Sequence, residues 1–255
     1  MTVAELYAFF EEKIPRALSC DWDNDGLMCC PDQNREVRRV LVALDVTAAV
    51  AEKAVREGYD LIVSHHPLIF RPIRAVSPGE AVADKVLRLL LSGVSVMSFH
   101  TRLDAVAGVV NEVLAESLGL CDVEPFGQNG EAIGRIGYLK EEISLVAFAE
   151  RVKCVTGAEY VQISDAGLPV YRVALLGGNG SDDADAAFAA GADTYLTGEL
   201  KHHQLTEAPE RGRNLIMGGH FYTENPVCER LRELIAETDA GIDVEIVNSN
   251  PVQFI

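Results

Sequence analysis

Two adjacent histidines, His65 and His66, end a short run of branched apolar residues. The run, LIV at residues 61–63, is typical of a buried strand, and Pro67 keeps the residue before it extended and cannot donate a hydrogen bond. We therefore expect the strand to end here, with both imidazoles at its carboxyl end, the edge where α/β sheets bind ligands. This arrangement predicts the beginning of a metal site; two ordinary surface histidines in a loop are the alternative.

The other histidines of the chain also follow predicted strands. They are His100, His202, His203 and His220. Because ligands of α/β proteins bind at the carboxyl ends of the strands, we expect the imidazoles on one rim or in one cleft. Two carboxylates, Asp104 and Glu224, follow in the same setting.

Imidazoles and carboxylates together make up the predicted metal ligands. The set is His65, His66, Asp104, His220 and Glu224. Such donors suit zinc, iron, manganese, cobalt or nickel. Five donors exceed what one tetrahedral catalytic zinc takes from a protein. A bridging carboxylate, Glu224 in preference to Asp104, would let the five hold two ions roughly 3.5–4 Å apart.

The elements that must position these residues alternate between strands and helices. Strand 37–45, helix 48–57 and strand 61–64 have the spacing of a βαβ unit, which predicts a parallel pair. A glycine-rich turn, GGNGSDD at 177–183, opens onto a helix, and its exposed amides can bind an anion. A plain strand-to-helix turn is the alternative interpretation.

This order of elements predicts an α/β fold. We expect two interlaced α/β lobes with mostly parallel or mixed sheets and a dinuclear metal site in the cleft. The segment 121–131, which contains Pro, Gly and Asn, is interpreted as a lobe boundary. The predicted first lobe contains residues 1–125 together with about 214–255, and the second contains residues 126–213.

Composition and charge narrow the class of protein. The chain is 48% hydrophobic and 24% charged, as in ordinary globular proteins, and its net charge is −17. This charge argues against direct binding of a nucleic-acid backbone, which requires clustered Lys and Arg. No apolar run approaches the roughly 20 residues of a membrane span. The acidic, amphipathic start is unlike a secretory signal, so we expect a cytoplasmic protein without membrane partners.

Cysteine spacing gives no sign of a structural zinc site. The six cysteines include no CxxC pair and no zinc-finger spacing. We therefore expect reduced and mostly structural thiols, with a reactive Cys29–Cys30 pair as the alternative.

Several blocks of the sequence resemble one known family. SHHPLIF, SFHTRLD, DTYLTGELKHH and GGHFYTE occur in this order, after an opening block DWDNDGL. Together they are similar to the signature blocks of the Nif3-like family of dinuclear-metal proteins, whose members are widely called GTP cyclohydrolase 1 type 2 homologues. The blocks extend from residue 21 to residue 224, which is nearly the whole chain.

The resemblance implies a two-lobed α/β fold, two divalent metal ions per chain and a ring-shaped homohexamer. The metal positions of the family fall on the five ligands predicted above. His65 and Asp104 correspond to one ion, His66 and His220 to the other, and Glu224 to both. His100, His202 and His203 are left with a supporting or substrate-facing role, or with a purely structural one. No catalytic residue is assigned.

The chain departs from the family pattern at a few positions. Asp25 stands where a small apolar residue is usual, and residues 28–30 (Met-Cys-Cys) replace an end that contains glycine. Arg102 stands where asparagine is common. This cation either selects an anionic substrate or pairs with a carboxylate.

Three functions fit this ligand set. The first is a metal-dependent hydrolase of a nucleotide-like or phosphorylated, and hence anionic, small molecule, which by family resemblance would be a GTP cyclohydrolase. The second is a two-metal phosphoesterase or amidohydrolase, which would use the same ligands. The third is a non-enzymatic metal-binding protein that acts through interactions.

Overall fold

A computed structural model of the chain describes residues 1–128 and 132–252 and shows an α/β protein with mixed parallel and antiparallel sheets. The predicted fold class is confirmed. The chain divides into two compact units, of which the first contains Met1–Val106 and the chain from Val227 onward. The second contains Ala107–Pro226. The first unit is therefore discontinuous in sequence, because the chain returns to it after completing the second.

The boundaries of these units differ from those predicted for the lobes. The predicted divisions at 125/126 and 213/214 both fall inside the second unit. The predicted boundary segment 121–131 begins with a strand up to Phe126, and its residues 129–131 lie outside the described part of the chain.

Helices and strands alternate along the described residues. The helices are α1 (Val3–Lys13), α2 (Ala48–Glu57), α3 (Ala81–Leu91), α4 (Thr101–Ala105), α5 (Val110–Ser117), α6 (Leu145–Thr156), α7 (Ala184–Ala189), α8 (His202–Glu207), α9 (His220–Glu224) and α10 (Val227–Thr238). The strands are β1 (Gly26–Cys29), β2 (Arg39–Ala43), β3 (Leu61–Ser64), β4 (Ser95–Ser98), β5 (Cys121–Phe126), β6 (Gly134–Ile143), β7 (Gln162–Ser164), β8 (Val170–Leu176), β9 (Thr194–Thr197), β10 (Asn214–Met217) and β11 (Asp243–Ile246). Within the described residues, none of the helices has the length and apolar character needed to cross a membrane.

The first unit is built on a sheet whose described strands have the order β1-β4-β3-β2-β11. β4, β3, β2 and β11 are parallel, and β1 pairs with β4 in the antiparallel direction. Leu41, Ile62 and Val96 form a core with α2 and α3. Phe99 stacks on Phe10 of α1, with ring centroids 4.5 Å apart. The parallel βαβ unit predicted from residues 37–64 is thus present, with its strands buried.

The second unit has a sheet of the order β5-β6-β8-β9-β10-β7. β8, β9 and β10 are parallel, and the strands on either side of them pair in the antiparallel direction. Alternate residues of β8 enter different cores: Val173 and Leu175 pack with α5 and α6, whereas Ala174 and Leu176 pack with α7. This alternation is the period of two that a sheet covered on both faces requires.

Local signals account for helices that the sequence predicts well. Thr47 accepts a hydrogen bond from the backbone N–H of Val50 at the start of α2. Gly58 ends the same helix in the left-handed region, with φ of 72°. The helix predicted at 48–57 therefore has its predicted bounds.

Two strands lie where the sequence suggests only loops. β1 includes the last two residues of the polar block DWDNDGL, and β5 lies in the predicted boundary segment. Both are edge strands, paired on one side with β4 or β6. Their pairing partners, rather than strong internal periodicity, make them strands.

The cysteines are mostly buried or half-buried, and only Cys154 is exposed. Burial, aided by the neighbouring Cys30, raises the pKa of Cys29 to about 12. Cys29 therefore remains a protonated thiol at neutral pH and is a poor nucleophile.

Arg102 is a buried structural cation. Its side chain is 0% exposed; Nε donates to Asp25 at 3.0 Å, and Nη1 donates to Glu11 at 2.8 Å and to the carbonyl of Ile14 at 3.0 Å. Of the two roles predicted for Arg102, the structure shows the pairing with a carboxylate. Asp25 and Arg102 are both positions where the chain departs from the family pattern, and the structure explains the two departures as one ion pair.

Replacing Asp25 should therefore be costly unless Arg102 is replaced as well. In Asp25→Ala the guanidinium keeps one carboxylate among the described residues, the partly exposed Glu11, and we expect the free energy of unfolding to fall by about 3–5 kcal/mol. The double variant Asp25→Ala/Arg102→Asn should be at least about 1 kcal/mol more stable than the single variant. Urea unfolding followed by circular dichroism measures both values.

A matched control is Glu36→Gln, which removes an exposed ion pair with Arg38. It should change the free energy of unfolding by less than about 1 kcal/mol. If the double variant is no more stable than Asp25→Ala, then removal of Arg102 does not offset the loss of Asp25, and the prediction is wrong.

Candidate metal centre

Three parallel strands of the first unit end side by side. Ala43 of β2 lies opposite Ser64 of β3, which lies opposite Ser98 of β4. The residues after these strands therefore emerge at one edge of the sheet. They are Asp45 after β2, His65 and His66 after β3, and His100 and Asp104 after β4.

His65 is held in one tautomer by the backbone. It is fully buried, and its Nδ1 lies 3.0 Å from the carbonyl oxygen of Phe99. A carbonyl only accepts, so Nδ1 carries the proton and donates to it. Nε2 keeps its lone pair and lies 3.9 Å from Oδ1 of Asp104. Histidines that bind metal through Nε2 typically donate their other N–H to an oxygen in this way.

His66 and His100 are oriented by carboxylates. Nδ1 of His66 lies 2.8 Å from Oδ1 of Asp45, and Nδ1 of His100 lies 2.9 Å from Oδ1 of Asp23. Burial opposes ionisation of Asp23, but hydrogen bonds from His100 and Thr101 outweigh it and lower the pKa of Asp23 to about 2. Asp23 is therefore a charged acceptor that keeps the His100 ring in place at neutral pH.

The three imidazoles of the first unit form one cluster. The ring centroids of His65 and His66 are 5.1 Å apart, and His100 lies 5.3 Å from His65 and 5.5 Å from His66. One ring nitrogen from each lies within 4.8 Å of the others, a spacing that could hold a metal ion. Asp104 adds a buried carboxylate beside His65.

The second unit repeats this arrangement on its own sheet. Leu176 of β8, Thr197 of β9 and Met217 of β10 lie in register at the ends of three parallel strands. The residues that follow at this edge are Gly177 and Gly178 after β8, Glu199 after β9, and His220 and Glu224 after β10.

His220 and Glu224 lie on one side of α9, four residues apart. Nε2 of His220 is 2.9 Å from Oε2 of Glu224, and Nδ1 is 2.7 Å from Oε1 of Glu199. Glu224 is buried, with 5% of its surface exposed. The hydrogen bond between Nδ1 and the Glu199 carboxylate orients this imidazole, as the corresponding bonds do in the first unit.

Gly178 makes room for the Glu224 carboxylate. A Cβ atom at Gly178 would lie 1.9 Å from Oε1 of Glu224, and the backbone has φ of +64°. The amides of the glycine-rich turn are already used: Gly178 donates to Thr223 at 3.0 Å and Gly180 donates to Thr197 at 2.9 Å. The turn predicted as a possible anion site therefore acts as a plain turn that supports α9.

The predicted ligands are thus distributed over both units, three in the first and two in the second. Within each unit, the predicted ligands that belong to it lie close to one another. Imidazoles whose Nδ1 atoms are bound to oxygen, next to buried carboxylates, are a donor set that fits a divalent transition metal.

The other predicted site residues have different positions. His202 and His203 are exposed at the start of α8, and neither belongs to a group of potential metal ligands in the part of the chain that the structure describes. His100, by contrast, lies inside the cluster of the first unit. Two of the three carboxylates that orient the imidazoles, Asp23 and Glu199, were not predicted. Their only sequence signal is a place in the blocks DWDNDGL and LTGELKHH.

Comparisons with known proteins agree with the sequence blocks. A family model described as Duf34/NIF3 (NGG1p interacting factor 3) matches residues 1–252. The chain is 37% identical over 238 residues to a GTP cyclohydrolase 1 type 2 homolog of Nostoc sp., covering 91% of this chain and 90% of that protein. It is 32% identical over 257 residues to the Protein NIF3 homolog of Schizosaccharomyces pombe, covering 92% and 91%. A crystal structure of a Bacillus cereus protein related to NIF3 has the same fold, with a TM-score of 0.88, 23% identity and coverage of 100% and 99%.

The tautomer of His65 can be tested directly. In the metal-free protein near neutral pH, proton–nitrogen correlation spectra should show the His65 proton on Nδ1, because Phe99 offers only an acceptor. The exposed His203 serves as a control and should show the ordinary mixture in which the Nε2–H form predominates. Single His→Gln variants at these two positions assign the signals. A His65 proton on Nε2 would contradict the geometry described above.

Proposed function

This chain belongs to the Duf34/NIF3 family, and we propose on that ground that it is a metal-dependent hydrolase of a small, nucleotide-like molecule with two divalent ions per chain. The proposed ligands are His65 and Asp104 for one ion, His66 and His220 for the other, and Glu224 for both. The assignment to individual ions follows the family resemblance. The observation that supports the set is the oxygen acceptor on Nδ1 of each proposed imidazole ligand.

Bound divalent ions would supply Lewis acidity for a substrate oxygen and activate water for attack. The chain itself contributes orientation and charge. Phe99, Asp45 and Glu199 hold the three ligand imidazoles by their Nδ1 atoms, so that the rings are preorganised before an ion binds. His100 keeps its Nδ1 proton against Asp23 and has a second nitrogen with which to transfer a proton to or from substrate.

Metal content tests the proposed ligand set. Protein purified without added metal should contain about two ions per chain by plasma mass spectrometry, as a two-metal site requires. Glu224→Gln should lose most of both ions because one bridging carboxylate is removed, whereas His65→Asn should lose mainly one.

His203→Asn is the matched control, because it removes an exposed imidazole outside the clusters, and it should keep full metal content. Equal metal content in all three variants would contradict the ligand assignment. Light scattering on the same samples gives the molar mass, which for the proposed ring-shaped homohexamer is six times that of one chain.

Hydrolysis is tested first with GTP, because relatives carry the name GTP cyclohydrolase 1 type 2 homolog. Metal-loaded protein should release formate from GTP, and His65→Ala should abolish release. If GTP is inert, a panel of phosphodiester, phosphomonoester and amide substrates distinguishes a two-metal phosphoesterase or amidohydrolase. Failure of the fully metal-loaded protein to hydrolyse any of them would contradict the hydrolase and favour the non-enzymatic, metal-binding alternative.

A further inference from the structure

A pocket lies immediately after the histidine pair in the first unit. It is formed by the loop that follows Pro67 and by the start of α3, it is open to solvent, and its volume is about 710 Å³. Its lining includes one aromatic residue and four charged ones, and we call it the basic pocket. These residues are Phe70, Arg71, Arg74, Glu80 and Lys85.

The basic pocket concentrates positive charge in an acidic protein. Arg71, Arg74 and Lys85 contribute three positive charges and Glu80 one negative charge, which leaves 3 − 1 = +2 among the lining residues. The whole chain, by comparison, has a net charge of −17. Such a local reversal of sign attracts an anion and raises its concentration at the pocket.

The two arginines of the basic pocket are available for a ligand. In the described residues, neither Arg71 nor Arg74 makes a hydrogen bond or ion pair, whereas arginines elsewhere pair with carboxylates, as Arg35 does with Asp60. Two unpaired guanidinium groups three residues apart present the planar, multiple donors that match phosphate oxygens.

Lys85 lies deeper in the pocket. Its Nζ donates to the carbonyl of Val46 at 2.6 Å, and burial lowers the pKa of Lys85 while the nearby Asp45 raises it. An ammonium group that is partly removed from water interacts more strongly with an anion than a fully solvated one does.

The basic pocket adjoins the histidine cluster of the same unit. Asp45, which acts on Lys85, also binds Nδ1 of His66. Phe70 lines the pocket, and its ring centroid lies 6.1 Å from that of His100 and 6.2 Å from that of Trp22. A small molecule anchored in the pocket can therefore extend past Phe70 towards the imidazoles.

We propose that the basic pocket binds the phosphate group of a phosphorylated small molecule, held by Arg71, Arg74 and Lys85. A phosphate dianion would neutralise the net charge of +2 among the lining residues. Only the statement that this molecule is the substrate rests on the proposed function; the binding itself does not require metal.

The test uses metal-free protein in EDTA, so that binding of phosphate to metal cannot contribute. Trp22 is the only tryptophan of the chain, it is 56% exposed, and it contacts Phe70, so its fluorescence reports on ligands at the pocket. GMP should change this fluorescence saturably at millimolar or lower concentration. Guanosine, which lacks the phosphate, should bind at least tenfold more weakly, and added salt should weaken GMP binding.

The double variant Arg71→Gln/Arg74→Gln should lose at least tenfold in affinity for GMP. Arg56→Gln, which removes an exposed arginine of α2, is the matched control and should bind as the wild type does. Circular dichroism and metal content should be unchanged in the double variant, because both arginines are exposed in a loop and neither is a proposed metal ligand. Binding of GMP with wild-type affinity by the double variant, or no saturable binding by the wild type, would overturn the proposal. Neither result depends on whether the chain holds two ions, which the metal analysis measures separately.

Discussion

In each unit, the candidate metal ligands depend on the hydrogen bond between an imidazole Nδ1 and a fixed oxygen. In the first unit the acceptors belong to Phe99, Asp45 and Asp23, and in the second to Glu199. In the first unit this bond selects the tautomer and sets the direction of Nε2. In the second unit it fixes the ring of His220, whose Nε2 faces Glu224. His65, His66 and His220 form this bond because parallel strands end in register and place the acceptor after a neighbouring strand. His100 forms it because Asp23 precedes β1, whose first residue lies opposite the last residue of β4.

In both units, the site residues follow parallel strands that end in register. The strands that lead to the site are largely buried, and the candidate ligands and the residues that orient them follow where these strands end. Carboxylates that would be costly to bury alone lie beside imidazoles, as Asp104 lies beside His65 and Glu224 beside His220. Close packing supports this geometry, since a side chain at Gly178 would occupy the place of the Glu224 carboxylate.

Cations in this acidic chain have two separate roles. Arg102 is enclosed by Asp25 and Glu11 and is part of the interior of the first unit. Arg71 and Arg74 stand at the surface, above a pocket, without a carboxylate partner among the described residues. The sequence places all three near the histidine motifs, but a motif does not distinguish an arginine that is buried and neutralised from one that faces solvent. Burial and the position of the nearest carboxylate make that distinction.

Much of the fold could be predicted because the relevant signals are local. Thr47 and Gly58 mark the ends of α2, and the proline after the histidine pair marks the end of β3. The edge strands β1 and β5 could not be predicted in the same way, because each is defined by hydrogen bonds to a strand distant in sequence. The predicted lobe boundaries differ from those of the compact units for a related reason: α5 packs on the second sheet and β10 belongs to it, and neither contact has a local sequence signal.

The sequence by itself determined the α/β class, the positions of the histidines after strands and the membership of a family. These properties depend on residue type and on spacing along the chain. Only the tertiary structure decided which side chain orients each imidazole, that Asp25 and Arg102 form one buried pair, and that His202 and His203 lie outside the clusters. The physical reason is that hydrogen bonds and ion pairs depend on distances of about 3 Å between atoms, and neighbours at that distance come together only when strands far apart in sequence pair in a particular register.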